Sequence, residues 1–103
     1  MQIPTIQDLK NAITKEIPRL EVRQETNSRD EEVLVHENDK YIVTFKIRET
    51  SLRKTGYMVS VDWDFKGYTT QMGTGHSTIE QFIASAKNDP CLELSDYEQI
   101  SLF

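Results

Sequence analysis

Two stretches of strict two-residue alternation limit what this chain can fold into. From Tyr41 to Arg48, the residues Tyr41, Val43, Phe45 and Ile47 alternate with Thr44, Lys46 and Arg48. From Tyr57 to Phe65, the residues Tyr57, Val59, Val61, Trp63 and Phe65 alternate with Ser60, Asp62 and Asp64. Successive side chains of a strand point to opposite faces, so this period predicts two half-buried strands, aromatic and β-branched residues inward. One face then lies on a core and the other is polar, as in an antiparallel sheet. Between them, Glu49 to Gly56 is a polar segment that reads as a mobile loop.

Further strands belong on both sides of this pair. Leu20 and Val22 alternate with Arg19, Glu21 and Arg23, predicting a strand over 19–23 followed by a polar loop over 25–30. Glu32 to His36 predicts a second strand, closed by a turn at Glu37-Asn38-Asp39-Lys40, where Asn and Asp tolerate the backbone angles required. After Phe65, Lys66-Gly67 turns the chain and Tyr68 to Met72 predicts a fifth strand, ended by Gly73-Thr74-Gly75.

Helical spacing occurs before and after the strands. Thr5 with Asp8 forms a capping box, and Ile6, Leu9, Ile13 and Ile17 fall on one stripe until Pro18 ends the helix. Ser77 with Glu80 predicts a second box, followed by the stripe Ile79, Phe82, Ile83 and Ala86 and a stop at Asn88-Asp89-Pro90. The tail from Cys91 reads as a short helix started by Ser95 and Glu98, or as an edge strand. The predicted fold class is α+β: an antiparallel sheet of four to five strands, with an N-terminal and a C-terminal helix packed on one face, in the order α-β-β-β-β-β-α. Residues 1–103 form one domain, since no composition break or repeat divides them.

Composition excludes several classes. A single cysteine, Cys91, cannot form an internal disulfide. No apolar run exceeds three residues, so no segment is expected to span a membrane. Met1 to Leu9 holds Pro4 and Asp8 and no basic stretch leading into an apolar run, which argues against a secretory signal and for a cytoplasmic location. The formal net charge of −5 argues against direct nucleic-acid binding.

Four local patterns could carry chemistry. Gly73-Thr74-Gly75-His76-Ser77 before a helix suggests an anion nest, but it lacks a P-loop lysine, and a structural turn with a serine cap accounts for it. Asp62 and Asp64 share a strand face and could hold a divalent cation, yet no His or further carboxylate is placed beside them, so a solvated face is expected. Cys91 with His76 as base lacks an orienting group. Tyr41, Phe45, Tyr57, Trp63, Phe65 and Tyr68 resemble a base-stacking platform in number, but inward alternation assigns most of them to the core. No catalytic residue, cofactor or metal is therefore expected, and the chain reads as a non-enzyme.

The charges are segregated. Lys40, Lys46, Arg48, Arg53 and Lys54 gather in the middle, and acids flank them. The residues expected to meet a partner are Glu31, Glu32, Glu37 and Asp39 before that cluster, and Asp89, Glu93, Asp96 and Glu98 after it. Such a surface suits a basic protein partner, for instance a nucleic-acid-binding protein whose groove the acids occupy. The competing expectation is a small nucleic-acid-binding domain using Lys46, Arg48, Arg53 and Lys54; a small enzyme ranks third.

Two resemblances bear on this choice. Helix, antiparallel strands, helix is similar to the order of double-stranded-RNA-binding domains, whose second helix starts with a basic cluster. Here that helix starts His76-Ser77-Thr78-Ile79-Glu80-Gln81, without one. Ile6-Gln7-Asp8-Leu9 and Ile79 to Asn88 resemble the first and second helices of an anti-CRISPR protein, one of the small acidic inhibitors used by phages and mobile elements. That likeness implies an inhibitor acting by protein contact. It does not extend to the sheet residues, and no functional residue is carried over from it.

Overall fold

The structure is a computed structural model that describes residues 3–67 and 71–88. Its elements run α1 (Ile6–Glu16), β1 (Arg23–Thr26), β2 (Glu32–Glu37), β3 (Tyr41–Glu49), β4 (Tyr57–Phe65), β5 (Gln71–His76) and α2 (Ile79–Lys87). The strands form one antiparallel sheet in the order β1-β2-β3-β4-β5, so this is the α+β fold that the alternation predicts.

Both helices lie on one face. Leu9 and Ile13 of α1 and Phe82 of α2 meet Leu34, Val43, Phe45, Val59 and Val61 from the sheet in a single core. Phe45 is fully buried, with its ring centroid 5.3 Å from that of Phe82. Trp63 is buried and Tyr41 packs edge-on against it and against Phe65. A buried aromatic side chain of this kind contributes about 2–3 kcal/mol by area, so this layer dominates the stability of the fold.

The ends of α1 follow the predicted chemistry. Thr5 Oγ1 accepts from the Asp8 N–H at 3.1 Å, Asp8 Oδ2 accepts from the Thr5 N–H at 2.9 Å, and Ile17 is the C-cap before Pro18. The cap of α2 lies one residue beyond the predicted Ser77. Thr78 is the N-cap, its hydroxyl accepting from the Gln81 N–H, while Gln81 Oε1 accepts from the Ser77 N–H. The reciprocal bond goes to the residue before the N-cap, so the predicted capping box is replaced by a Thr78 cap with Gln81 bracing Ser77.

Four further expectations are corrected. The first strand is Arg23–Thr26, not 19–23. The Leu20 N–H bonds to the Ile17 carbonyl in a turn, and Leu20 is buried with the helix stripe rather than in a strand. Arg23 to Thr26, read in part as loop, instead pair with Val35 to Glu32, because Asn27 makes a tight turn by accepting from the Arg29 and Glu31 N–H groups. The last strand runs to His76, so Gly73 and Gly75 are strand residues and do not end the sheet; Tyr68 lies outside the described residues. Ser60 was expected on a solvated face, yet it is buried, flanked by Lys46 on β3 and Gly75 on β5. The segment 50–56, expected to be mobile, is pinned. Arg53 Nη1 donates to Ser77 Oγ at 2.8 Å, Thr55 Oγ1 donates to the Ser77 carbonyl at 2.8 Å, and Gly56 takes a φ of +80° that glycine accepts without strain.

Candidate functional site

The sheet face opposite the helices is built by the alternate residues of each strand. Register places Arg23 beside Val35 and Thr44, then Asp62, then Gly73; the next row runs through Lys46, Ser60 and Gly75. Val33 and Val35 are buried on this face outside the main core. Charged side chains spread over them. The Lys46 side chain is only 17% exposed, and its Nζ lies 3.7 Å from Glu31 Oε1. A long cationic side chain that lays its methylenes over valines keeps its charge at the rim.

Most cations of this face are already engaged. Lys66 pairs with Glu37 at 2.7 Å, and Arg23 pairs with Glu25 and, at 3.4 Å, with Glu37. Glu37 is held below the ordinary carboxylate range by its hydrogen bond and charge attraction to Lys66, and Arg23 adds to this. Glu31 is likewise held down, first by the hydrogen bond from Asn27 and then by Lys46, with Arg29 and Arg48 contributing. Arg53 is tied to Ser77.

Asp62 and Asp64 differ. Both are exposed on β4, and neither makes an ion pair or side-chain hydrogen bond among the described residues. They line a shallow groove of about 490 Å³ with Thr44, Trp63, Met72 and Gly73. The floor of that groove exists because position 73 has no side chain. A Cβ there would stand 3.1 Å from Asp62 Oδ1, so the carboxylate leans into the space that glycine leaves.

Of the acids expected to meet a partner, the structure separates four. Glu31 and Glu37 are spent in internal ion pairs, whereas Glu32 is exposed at the start of β2 and Asp39 in the turn that follows it. Asp89, Glu93, Asp96 and Glu98 lie outside the described residues, as does Cys91. The basic set is split as well, with Lys46 and Arg53 held by partners and Arg48 exposed on the face.

The proposed anion nest is absent from this geometry. Gly73 and Gly75 have extended backbones, and the N-terminal amides of α2 are largely taken up. Gln81 Oε1 accepts from Ser77, the Tyr57 hydroxyl from Ile79 at 3.3 Å, and Thr78 Oγ1 from Gln81. Among the described residues no group of three or more His, Cys, Asp or Glu side chains converges as a cation site. The histidines stand apart. His36 Nδ1 donates to the Glu21 carbonyl at 2.8 Å, while His76 packs against Phe82 beside a cavity of about 90 Å³ between β5 and α2. Burial, assisted by Arg53, pushes the His76 imidazole below its ordinary range. No helix of the described residues is long and apolar enough to cross a membrane.

The strand character of Gly73 and Gly75 is hard to see in the sequence because glycine has low strand propensity and usually ends such elements. The signal was their own spacing of two, with Met72, Thr74 and His76 in the alternate positions. Compared with known proteins, the chain matches no family model, no curated protein and no solved structure.

Proposed function

We propose that this chain is a non-catalytic binding module that meets a basic protein partner through acidic groups on the helix-free face of its sheet. One observation carries the reading: among the described residues Asp62 and Asp64 are exposed and make no ion pair or side-chain hydrogen bond, while Lys46, Lys66, Arg23 and Arg53 on and around the same face are held by internal partners, which leaves two free carboxylates against one exposed cation, Arg48. Charge left over on a surface is what steers an oppositely charged partner, and here the surplus is negative. Exposed Glu32 and Asp39 lie off this face, Glu32 on the Leu34 side of β2 and Asp39 in the turn after it, and add acidic charge at the rim. An inhibitor of the phage or mobile-element type is the use that the helix resemblance supports, because such proteins block basic, nucleic-acid-handling enzymes by contact.

The decisive experiment compares two charge-reversed proteins. Asp62→Lys with Asp64→Lys should abolish capture of the partner that the wild type retains from host lysate, with the fold unchanged. Arg48→Glu with Lys54→Glu should leave capture intact. A duplex DNA or RNA that binds the wild type, and loses binding in the Arg48/Lys54 protein only, would overturn the reading in favour of nucleic-acid recognition.

A further inference from the structure

The two edges of the sheet are built differently. β1 is four residues long, fully exposed and carries Arg23 and Glu25, the kind of short charged strand that resists pairing with another chain. β5 is longer, has no charged residue from Gln71 to Gly75, and contains two glycines. Among the described residues, no strand lies beyond it.

The direction of its free backbone groups follows from the ladder. The Lys66 N–H bonds to the Lys40 carbonyl, and the Thr50 N–H bonds to the Gly56 carbonyl. Antiparallel pairs alternate between bonded and non-bonded, so the even-numbered residues of β4 turn their amides toward β3 and the odd-numbered ones toward β5. Val59, Val61 and Trp63 therefore bond to His76, Thr74 and Met72. The amides and carbonyls of Gln71, Gly73 and Gly75 point outward, along the edge that no other described strand covers.

We infer that β5 accepts an extended segment of a basic protein partner as a sixth strand, with a Lys or Arg of that segment opposite Gly73. This rests on the acidic-surface reading above and names the partner's form. Main-chain bonds to Gly73 and Gly75 supply the pairing, and side-chain positions supply the choice of partner. A residue opposite Gly73 in a bonded pair projects its side chain onto the helix-free face. Strands lie about 4.8 Å apart, and no side chain at position 73 intervenes. The Asp62 carboxylate already leans into that gap, so a cation reaches it across the glycine. Two positions along, the environment reverses. Met58 covers Gly75, and Arg53 Nη2 would stand 3.3 Å from a Cβ there, so a cation is disfavoured and an apolar or acidic residue fits. The edge thus reads charge in one direction, which a second copy of this acidic chain does not match.

The test uses the full chain and a capped nine-residue peptide of alternating threonine and valine whose central threonine is replaced by lysine, with the central-glutamate counterpart as control. Amide hydrogen exchange read by NMR should slow at Gly73 and Gly75 on adding the lysine peptide, with Met72 and Thr74 little changed because their amides already bond to β4. Asp62→Asn and higher salt should each weaken binding, by about tenfold for Asp62→Lys. Gly73→Pro removes an outward N–H without costing a ladder bond and should abolish binding while the fold persists. Slow exchange at Gly73 and Gly75 in the free protein overturns the inference, because another segment or a second copy then holds the edge; sedimentation at several concentrations tells those apart. Equal protection by the glutamate peptide overturns it too. If capture of the native partner responds to Asp62→Lys and ignores Gly73→Pro, strand addition fails while the acidic-surface reading stands.

Discussion

Met58 on β4 occupies the space that a side chain at position 75 of β5 would need. The two residues are therefore coupled. Gly75 is required for room, since its backbone is extended and lies outside the left-handed region. The blocking atom is the terminal methyl of a flexible side chain, so Gly75→Ala should cost only about 1 kcal/mol, with Met58 swinging aside. Gly75→Val also meets Arg53 and should cost more. Combining either with Met58→Ala should recover part of the loss, giving a coupling of about 1 kcal/mol in a double-mutant cycle of chemical denaturation. Strict additivity would show that the contact is unimportant.

Core and face are distinguished by neighbouring residues on β3. Phe45→Ala removes a fully buried ring from beneath Phe82 and should cost roughly 3–5 kcal/mol in urea unfolding. Lys46→Ala should cost about 1 kcal/mol, more than an outward lysine usually does. Its stem lies mostly covered on the outer face that holds buried Val33, and its amine reaches Glu31. Equal effects from the two substitutions would reverse the face assignment.

The contrast between those two residues shows where the sequence is legible. Period-two alternation with strong strand formers located β3 and β4 and named their inward residues, because burial of one face leaves only one workable register. Capping chemistry located α1. The alternation at Leu20 and Val22 misled, since Pro18 bends the chain so that Leu20 is buried from a turn instead of a strand. Acidity was legible as a sum, but not as a surface. Which carboxylates are free depends on cross-strand partners such as Lys66 for Glu37, and pairing over that distance has no local signature. Asp62 and Asp64 are solvated, as their place on the polar face of β4 implies; that their neighbours' charges are spent is a tertiary fact.

A hydroxyl on β4 helps to start α2. The Tyr57 phenol oxygen accepts from the Ile79 N–H, one of the amides that a helix cannot satisfy internally. Tyr57→Phe keeps the ring and should destabilise by roughly 0.5–1.5 kcal/mol. Exchange of the first-turn amides of α2 should quicken more than that of β4. Uniform quickening would assign the effect to packing.

Acidification should weaken the fold through His76. Its ring packs against Phe82, and burial with Arg53 nearby depresses its pKa below the unfolded value. The unfolded chain therefore binds a proton first as pH falls. The stability is fully present above the unfolded histidine value of about 6.5 and declines as pH drops from there through the depressed folded value. In His76→Gln, the part of that decline between neutral pH and about pH 5 should flatten when urea midpoints are compared. An unchanged slope would show that His76 does not carry it.

The four described acids first grouped by sequence should separate into two pairs. Glu31 and Glu37 hold Lys46, Lys66 and Arg23, and their depressed pKa values mark stability that is present above the ordinary carboxylate range and lost as pH falls through the folded values. Glu31→Gln and Glu37→Gln should therefore lower stability at neutral pH and narrow the difference from wild type in acid. Glu32 and Asp39 make no ion pair among the described residues, so Glu32→Lys with Asp39→Lys should leave the urea midpoint nearly unchanged. Against the basic partner the order reverses. The Glu32/Asp39 protein should associate more slowly, most clearly at low salt, because screening beyond about 8 Å at physiological ionic strength already hides part of their field. Dissociation should change little, since rim charges act on encounter more than on the bound state. If instead Glu31→Gln and Glu37→Gln slow association while Glu32→Lys and Asp39→Lys do not, the partner contacts the ion-paired centre of the face, and the leftover-charge argument fails.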